Sequence, residues 1–264
     1  MHLPTINYID LSLFQNFPLS GLTPSVNLLR LDISLLGLYD PLEEDGSPDV
    51  VVQSEIMPKI REFKTSGSSL LTMKLLHAKR QDGRPAFNFV DLRRLSISFT
   101  QLEDEPIIRY FLQNAKLLEK LHLSVSLGLS LVGLLSPSAR ILRVLDLTTF
   151  LYRFPFPPLD GLCEELEAMT GHNMLEALSL DLEVEAYAHD TDDFIGSTFQ
   201  NVEKVMVKPG WSALKQVSFK VSIILYGSNR AEELSEVLQS LPDKYLSHLP
   251  KLESIAFSYS TRLL

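Results

Sequence analysis

Residues 92–99 read Leu92-Arg93-Arg94-Leu95-Ser96-Ile97-Ser98-Phe99, with apolar side chains at the first, fourth, sixth and eighth places. The last three are two residues apart, which is the mark of a strand that buries one face. The same phrase returns nine times, starting at Ile6, Leu28, Ile60, Leu92, Leu118, Leu142, Leu175, Leu214 and Leu252. Its second apolar places are Ile9, Leu31, Phe63, Leu95, Leu121, Leu145, Leu178, Val217 and Ile255. Successive starts lie 22, 32, 32, 26, 24, 33, 39 and 38 residues apart. Each gap has room for one helix and two turns, so the predicted unit is a strand followed by a crossover. That connection makes neighbouring strands parallel and puts the crossovers on one face of the sheet. A single unit cannot bury its own apolar face, so units must stack. The expectation is one α/β solenoid domain of about nine irregular repeats over residues 1–264. In a doubly wound α/β domain the buried strands would be apolar on both faces. Here the interleaved places are polar in nearly every copy, which favours the solenoid.

Those interleaved places form the predicted exposed sheet face. One column runs Ser12, Ser34, Ser66, Ser98, Ser124, Thr148, Asp181, Lys220 and Ser258; the column before it runs Asp10, Asp32, Lys64, Ser96, His122, Asp146, Ser179, Ser218 and Ala256. Two readings stand for the small residues. A concave sheet crowds its inner side chains, or a partner shapes that floor.

Composition narrows the classes. The chain has 264 residues, is 45% apolar and carries 50 leucines, enough for a substantial core. A net charge of −9 disfavours nucleic acid and anionic membrane as partners, because both would be repelled. The one cysteine, Cys163, excludes an intrachain disulfide and stands among Leu162, Leu166 and Met169 at helical spacing, so it reads as core filler. With no Asn-x-Ser/Thr acceptor and no secretory leader, the expected place is intracellular, cytoplasmic or nuclear. The uncharged run 121–139 begins as a strand and contains glycines and serines, so it reads as buried repeat and not as a membrane span.

Between strands, helices are predicted over 68–79, from Glu103 onward with a stripe Ile107, Phe111 and Leu118, and over 159–170, 192–205 and 231–241. Asp82-Gly83-Arg84-Pro85 stops the first of them. Residues 40–49 (DPLEEDGSPD) read as a solvated acidic loop with a conceivable phosphosite at Ser47. Residues 154–158 (FPFPP) are a stiff loop whose phenylalanines either form an exposed patch or tuck under the sheet edge. Trp211 is expected to pack between adjacent repeats.

No sequence pattern announces a reaction. The six histidines show no His-x-x-x-His spacing and there is no Cys-x-x-Cys, so no metal site is expected. Phosphate-cradling and nucleophile-elbow motifs are missing too, so no catalytic residue and no cofactor are assigned. Asp181, Glu183 and Glu185 alternate on one strand, either as a cation site or as a solvated acidic patch. His122 reads as a surface histidine, and a pH-sensing role is the alternative. Arg61, Lys64, Arg93, Arg94, Lys120 and Arg143 gather at the middle strands. They form a basic strip for an acidic or phosphorylated segment, or they are neutralised by Glu62, Glu119 and Asp146.

The pattern resembles a leucine-rich repeat, and its uneven spacing resembles the degenerate repeats of F-box/leucine-rich-repeat proteins of mushroom-forming fungi. Leu117-Leu118-Glu119-Lys120-Leu121-His122-Leu123 and Leu241-Pro242-Asp243-Lys244-Tyr245-Leu246 carry the likeness, which spans almost the whole chain. It implies a parallel sheet on the concave face and helices on the convex face. Typical repeats place Asn or Cys where this chain has Phe14, Leu36, Ser68, Thr100, Ser126, Phe150, Glu183, Ser222 and Ser260, so a flatter, uneven arc is expected. The resemblance also implies a non-enzymatic protein-binding role, as the substrate-recognition region of an F-box-type ubiquitin ligase. No F-box is expected within this chain, so a Skp-type adaptor is a partner only if one lies upstream. The other reading is a repeat-only binding scaffold. The candidate partner surface is Lys64, Arg93, Arg94, Ser96, Ser98, Lys120, His122, Ser124, Arg143 and Asp146.

Overall fold

A computed structural model gives the structure of the protein and describes residues 6–12, 22, 27–34, 51–52, 57–67, 69–99, 105–125, 130–151, 161–185, 191–224 and 231–263. The loops 40–49 and 154–158 lie outside the described residues. The chain falls into two compact units, Met1–Leu118 and Glu119–Leu264.

In chain order the first unit holds β1 (Tyr8–Ser12), β2 (Arg30–Ser34), β3 (Val51–Val52), β4 (Glu62–Ser66), α1 (Ser69–His77), β5 (Lys79–Arg80), β6 (Arg94–Phe99) and α2 (Glu105–Asn114). Strands β1, β2, β4 and β6 lie side by side in that order, all parallel, while β3 and β5 make a separate two-stranded pair. The register sets like places of the phrase beside one another: Ile9, Leu31, Phe63 and Leu95 form one row. Leu31, Ile33, Phe63, Leu95 and Ile97 are all buried. Phe63, Phe89 and Phe111 meet with ring centroids 5.1–5.5 Å apart, joining β4 to α2 and to the turn before β6. One core place is polar: Thr65 is buried and bonds the hydroxyl of Thr72 on α1 at 2.9 Å. A hydroxyl pair that satisfies itself can sit in a core without an unmet donor. Helix α1 follows Gly67, whose φ of 61° allows the sharp exit from β4. Helix α2 ends at Asn114, so Leu118 is buried in the next turn and does not extend the α2 stripe.

The second unit holds β7 (Lys120–Val125), β8 (Val144–Leu151), α3 (Leu162–Met169), β9 (Ala177–Glu185), α4 (Thr191–Met206), β10 (Gln216–Ile224), α5 (Ala231–Tyr245) and β11 (Ala256–Leu263). Its five strands also pair in sequence order and in parallel. The described residues therefore carry an α/β architecture with nine main parallel strands and five helices. Helices α3, α4 and α5 lie where the spacing placed them, within a few residues at each end. The crossover from β7 to β8 differs: its described part holds a 3₁₀ turn, Ser136–Ser138, in place of a helix. The acceptor that this turn needs comes from α3. Glu165, buried at 5% exposure, accepts the backbone N–H groups of Gly133, Leu135 and Ser136. Helix α4 repeats the device, since buried Glu203 accepts the N–H groups of Ser247, His248 and Leu249.

Most rungs begin in the same way. The carbonyl two places before the inward-facing residue accepts two N–H groups from the next rung: Leu29 and Arg30 bond Asn7, Arg93 and Arg94 bond Arg61, Glu176 and Ala177 bond Arg143, and Lys215 and Gln216 bond Glu176. One oxygen with two lone pairs serves both donors. The repeat is thus written in the backbone as well as in the leucines.

The last rung departs from the expected alignment. Val217 pairs with Phe257 and not with Ile255, and Lys220 pairs with Ser260 and not with Ser258. Two extra residues fill the turn between Leu252 and the strand. A shift of two keeps every side chain on its own face, which is why the sequence pattern did not reveal it. The interleaved face is also less open than expected. Most of its residues are half-buried, and Asp32, Ser124 and Ser222 are buried.

Candidate functional site

The polar sheet face of each unit carries part of the charged side chains that the sequence singled out. In the first unit Lys64 on β4 is exposed, with Asp32 and Ser96 as its lateral neighbours. Ser98 lies beside Ser66 on the adjoining strand. Arg94 bonds Glu62 through Nη1 at 2.9 Å, so the neutralisation considered for that strip is present there. Arg93 stands one residue earlier, in the turn before β6, and its backbone N–H bonds Arg61. An arrangement not singled out lies beside them. Asp32 is held by Arg30 through two bonds of 2.8 and 3.2 Å and by the Tyr8 hydroxyl at 3.2 Å, while the Arg30 guanidinium sits 4.6 Å from the Tyr8 ring centre. The bonds from Asp32 and its charge push the Arg30 pKa further up. The sequence held a signal, since Arg-x-Asp places both residues on one strand face.

In the second unit, the exposed Lys120 opens β7. His122 Nδ1 lies 3.0 Å from Asp146 Oδ2 across the β7–β8 pair. The His122 bond holds the Asp146 carboxyl below the usual carboxylate range, and Ser179 and Lys220 add to it against the opposing effect of burial. Ser124 is buried on the same face. Lys220 on β10 pairs with Asp181 on β9, and the Ser222 hydroxyl reaches the other oxygen of Asp181 at 3.4 Å. Asp181 is therefore part of an ion pair, and the solvated-patch reading does not hold for it. Burial raises the neighbouring Glu183 carboxyl, Asp181 raises it further, and Lys220 partly offsets both.

Arg143 is not on the sheet face. It stands in the turn before β8 and bonds Glu176 Oε1 at 2.7 Å, while Lys215 takes Glu176 Oε2 at 2.8 Å. Lys215 and then Arg143 hold the Glu176 carboxyl below its usual range. Glu176 was the unforeseen partner, because it lies 33 residues from Arg143 and only the register brings them together.

The ten residues named from the sequence thus divide. Lys64, Arg94, Ser96 and Ser98 share the polar face of the first unit, and Lys120, His122, Ser124 and Asp146 that of the second. Arg93 and Arg143 belong to the turns before their strands. Cys163 is half-buried, and burial pushes its thiol pKa up, which disfavours the reactive thiolate. Trp211 is buried and donates its indole N–H to the Val205 carbonyl at the end of α4 at 3.0 Å. Among the described residues no cluster of three or more His, Cys, Asp or Glu could hold a metal ion, and no helix is long and apolar enough to cross a membrane. The arrangement offers fixed hydrogen-bond donors, acceptors and paired charges on a half-exposed surface. Comparison with known proteins finds no family model, no curated protein and no solved structure that matches this chain.

Proposed function

We propose that this chain is a non-enzymatic, intracellular protein-binding module of the leucine-rich-repeat type. Its parallel strands stack as a solenoid and present their polar faces to a protein partner. The observation that carries the reading is the tethering of charged side chains on those faces, as in Arg30–Asp32–Tyr8 and His122–Asp146. Side chains already held in place lose little freedom when a partner arrives, which favours binding. The resemblance to F-box/leucine-rich-repeat proteins supports a finer role as the substrate-recognition region of a ubiquitin ligase. The alternative is a scaffold with no ligase connection.

The test is affinity capture from the native cell with wild-type chain and with Arg94→Glu and Lys120→Glu variants, read for adaptor and cullin subunits. Capture of a partner that both variants weaken supports the reading, and co-capture of adaptor and cullin supports the ligase role. A partner held equally by wild type and variants sinks the sheet-face assignment.

A further inference from the structure

We propose that, in Glu119–Leu264, the rim formed by the turns leading into the strands docks an acidic, Asp/Glu-rich segment of a partner protein. This rests on the protein-binding reading above and names the partner's chemistry. The chain as a whole is acidic at −9, yet its charge is unevenly placed. Lys120, Arg140, Arg143, Lys215 and Lys251 stand in or next to the turns that lead into β7, β8, β10 and β11, and all five are exposed. These turns and the one into β9 carry three carboxylates, Glu119, Glu176 and Glu253, two fewer than those five cations. The strand register fixes their spacing. Glu119, Arg143, Glu176 and Lys215 hold equivalent places on four successive rungs, each bonded through the backbone to the next. Neighbouring rungs are about 4.8 Å apart, so Arg143 and Lys215 flank Glu176 at about that distance on either side.

Glu176 is shared between two cations, so one carboxylate answers two positive charges. Lys120, Arg140 and Lys251 have no ion-pair partner among the described residues. An incoming carboxylate can therefore pair here without breaking an existing bond. Exposed Met174, 44% accessible, and half-buried Ile141 lie on the same rim and give a segment apolar surface to rest on. A nucleic-acid backbone, charged at every phosphate, fits less well, because Glu119 and Glu176 interrupt the cations, whereas a peptide can space its carboxylates to match.

The experiment measures fluorescence anisotropy of the full chain with a labelled Asp/Glu-rich peptide, its Asn/Gln counterpart and a single-stranded oligonucleotide. The acidic peptide is expected to bind, and to weaken as salt rises from about 0.01 M to about 0.15 M, where the screening length falls from about 30 Å to about 8 Å. A combined Arg140→Glu, Lys215→Glu and Lys251→Glu variant should lose about tenfold or more in affinity. A Ser218→Tyr variant, which blocks the middle of the sheet face, should bind the peptide as wild type does. All three substituted rim residues are exposed, and an unchanged melting temperature verifies the fold. Equal binding of the Asn/Gln peptide, tighter binding of the oligonucleotide, or an unaffected rim variant overturns the proposal. Loss of acidic-peptide binding in Ser218→Tyr alone would overturn the rim while leaving the sheet-face reading standing.

Discussion

Two buried glutamates show how single residues shape this fold. Glu165 and Glu203 each leave a helix and satisfy three backbone donors of a proline-containing turn, Ser136–Ser138 and Leu249–Lys251. Neither turn can supply those acceptors itself, and an unmet buried N–H costs about 1–3 kcal/mol. Glu203→Ala should therefore destabilise the chain by about 3 kcal/mol or more, read from the urea midpoint, with Glu203→Gln losing less. A loss below about 0.5 kcal/mol would show that water replaces the carboxylate. The pH dependence follows in sign. Burial acts to raise the Glu203 carboxyl, but the three N–H bonds and His248 outweigh it, so the group lies below its ordinary 4.5. A depressed folded value means that the contribution is fully present above the ordinary range and fades as pH falls through the lowered value. The stability gap between wild type and Glu203→Gln should be constant near neutrality and close as the pH drops below about 4.5. A gap that stays open in acid would contradict this. The sequence marked neither glutamate, because nothing local separates a buried acceptor from a solvated helix charge.

At the scale of elements, α5 contains Pro242, which lacks the N–H that would bond the Leu238 carbonyl. Tyr259 on β11 donates its hydroxyl to that oxygen at 2.6 Å, repairing the break and tying the helix to the strand. Tyr259→Phe should cost about 1–3 kcal/mol. In a Pro242→Ala background the backbone supplies the donor, so the same change should cost clearly less. Additive effects in that double-mutant cycle would reject the link. Helices α4 and α5 approach closely at Gly196, where an added Cβ would lie 2.2 Å from the Tyr245 ring. Gly196→Ala would gain about 1 kcal/mol of helix propensity on an isolated helix. Here it should lower the melting temperature, because the clash outweighs the gain. Pairing it with Tyr245→Ala should recover part of the loss. The helices themselves were legible from apolar periodicity, but which of them touch, and through which small residue, required the packing.

At the scale of the whole molecule, each unit is a run of parallel rungs whose inner members are covered on both sides. In the second unit the core places of β9 and β10 are buried, whereas Phe257, Tyr259 and Thr261 on β11 are half-exposed. Hydrogen exchange followed by mass spectrometry should find β9 and β10 the slowest segments of this unit and β11 clearly faster. Equal protection would mean that the last rung is covered in solution. The nine main strands, their faces, their parallel order and the positions of all five helices were readable from the chain. The 22–39-residue return of one phrase admits few other ways to bury so many leucines. What the chain could not show was which charges meet. Arg143 with Glu176, Lys220 with Asp181 and His122 with Asp146 are 24 to 39 residues apart, and only the register joins them. The two-residue slip of the last strand was hidden for the related reason that a period of two leaves the face unchanged. Hydrophobic periodicity is local and therefore written in the sequence; lateral pairing is set by how rungs stack, so only the tertiary structure decides it.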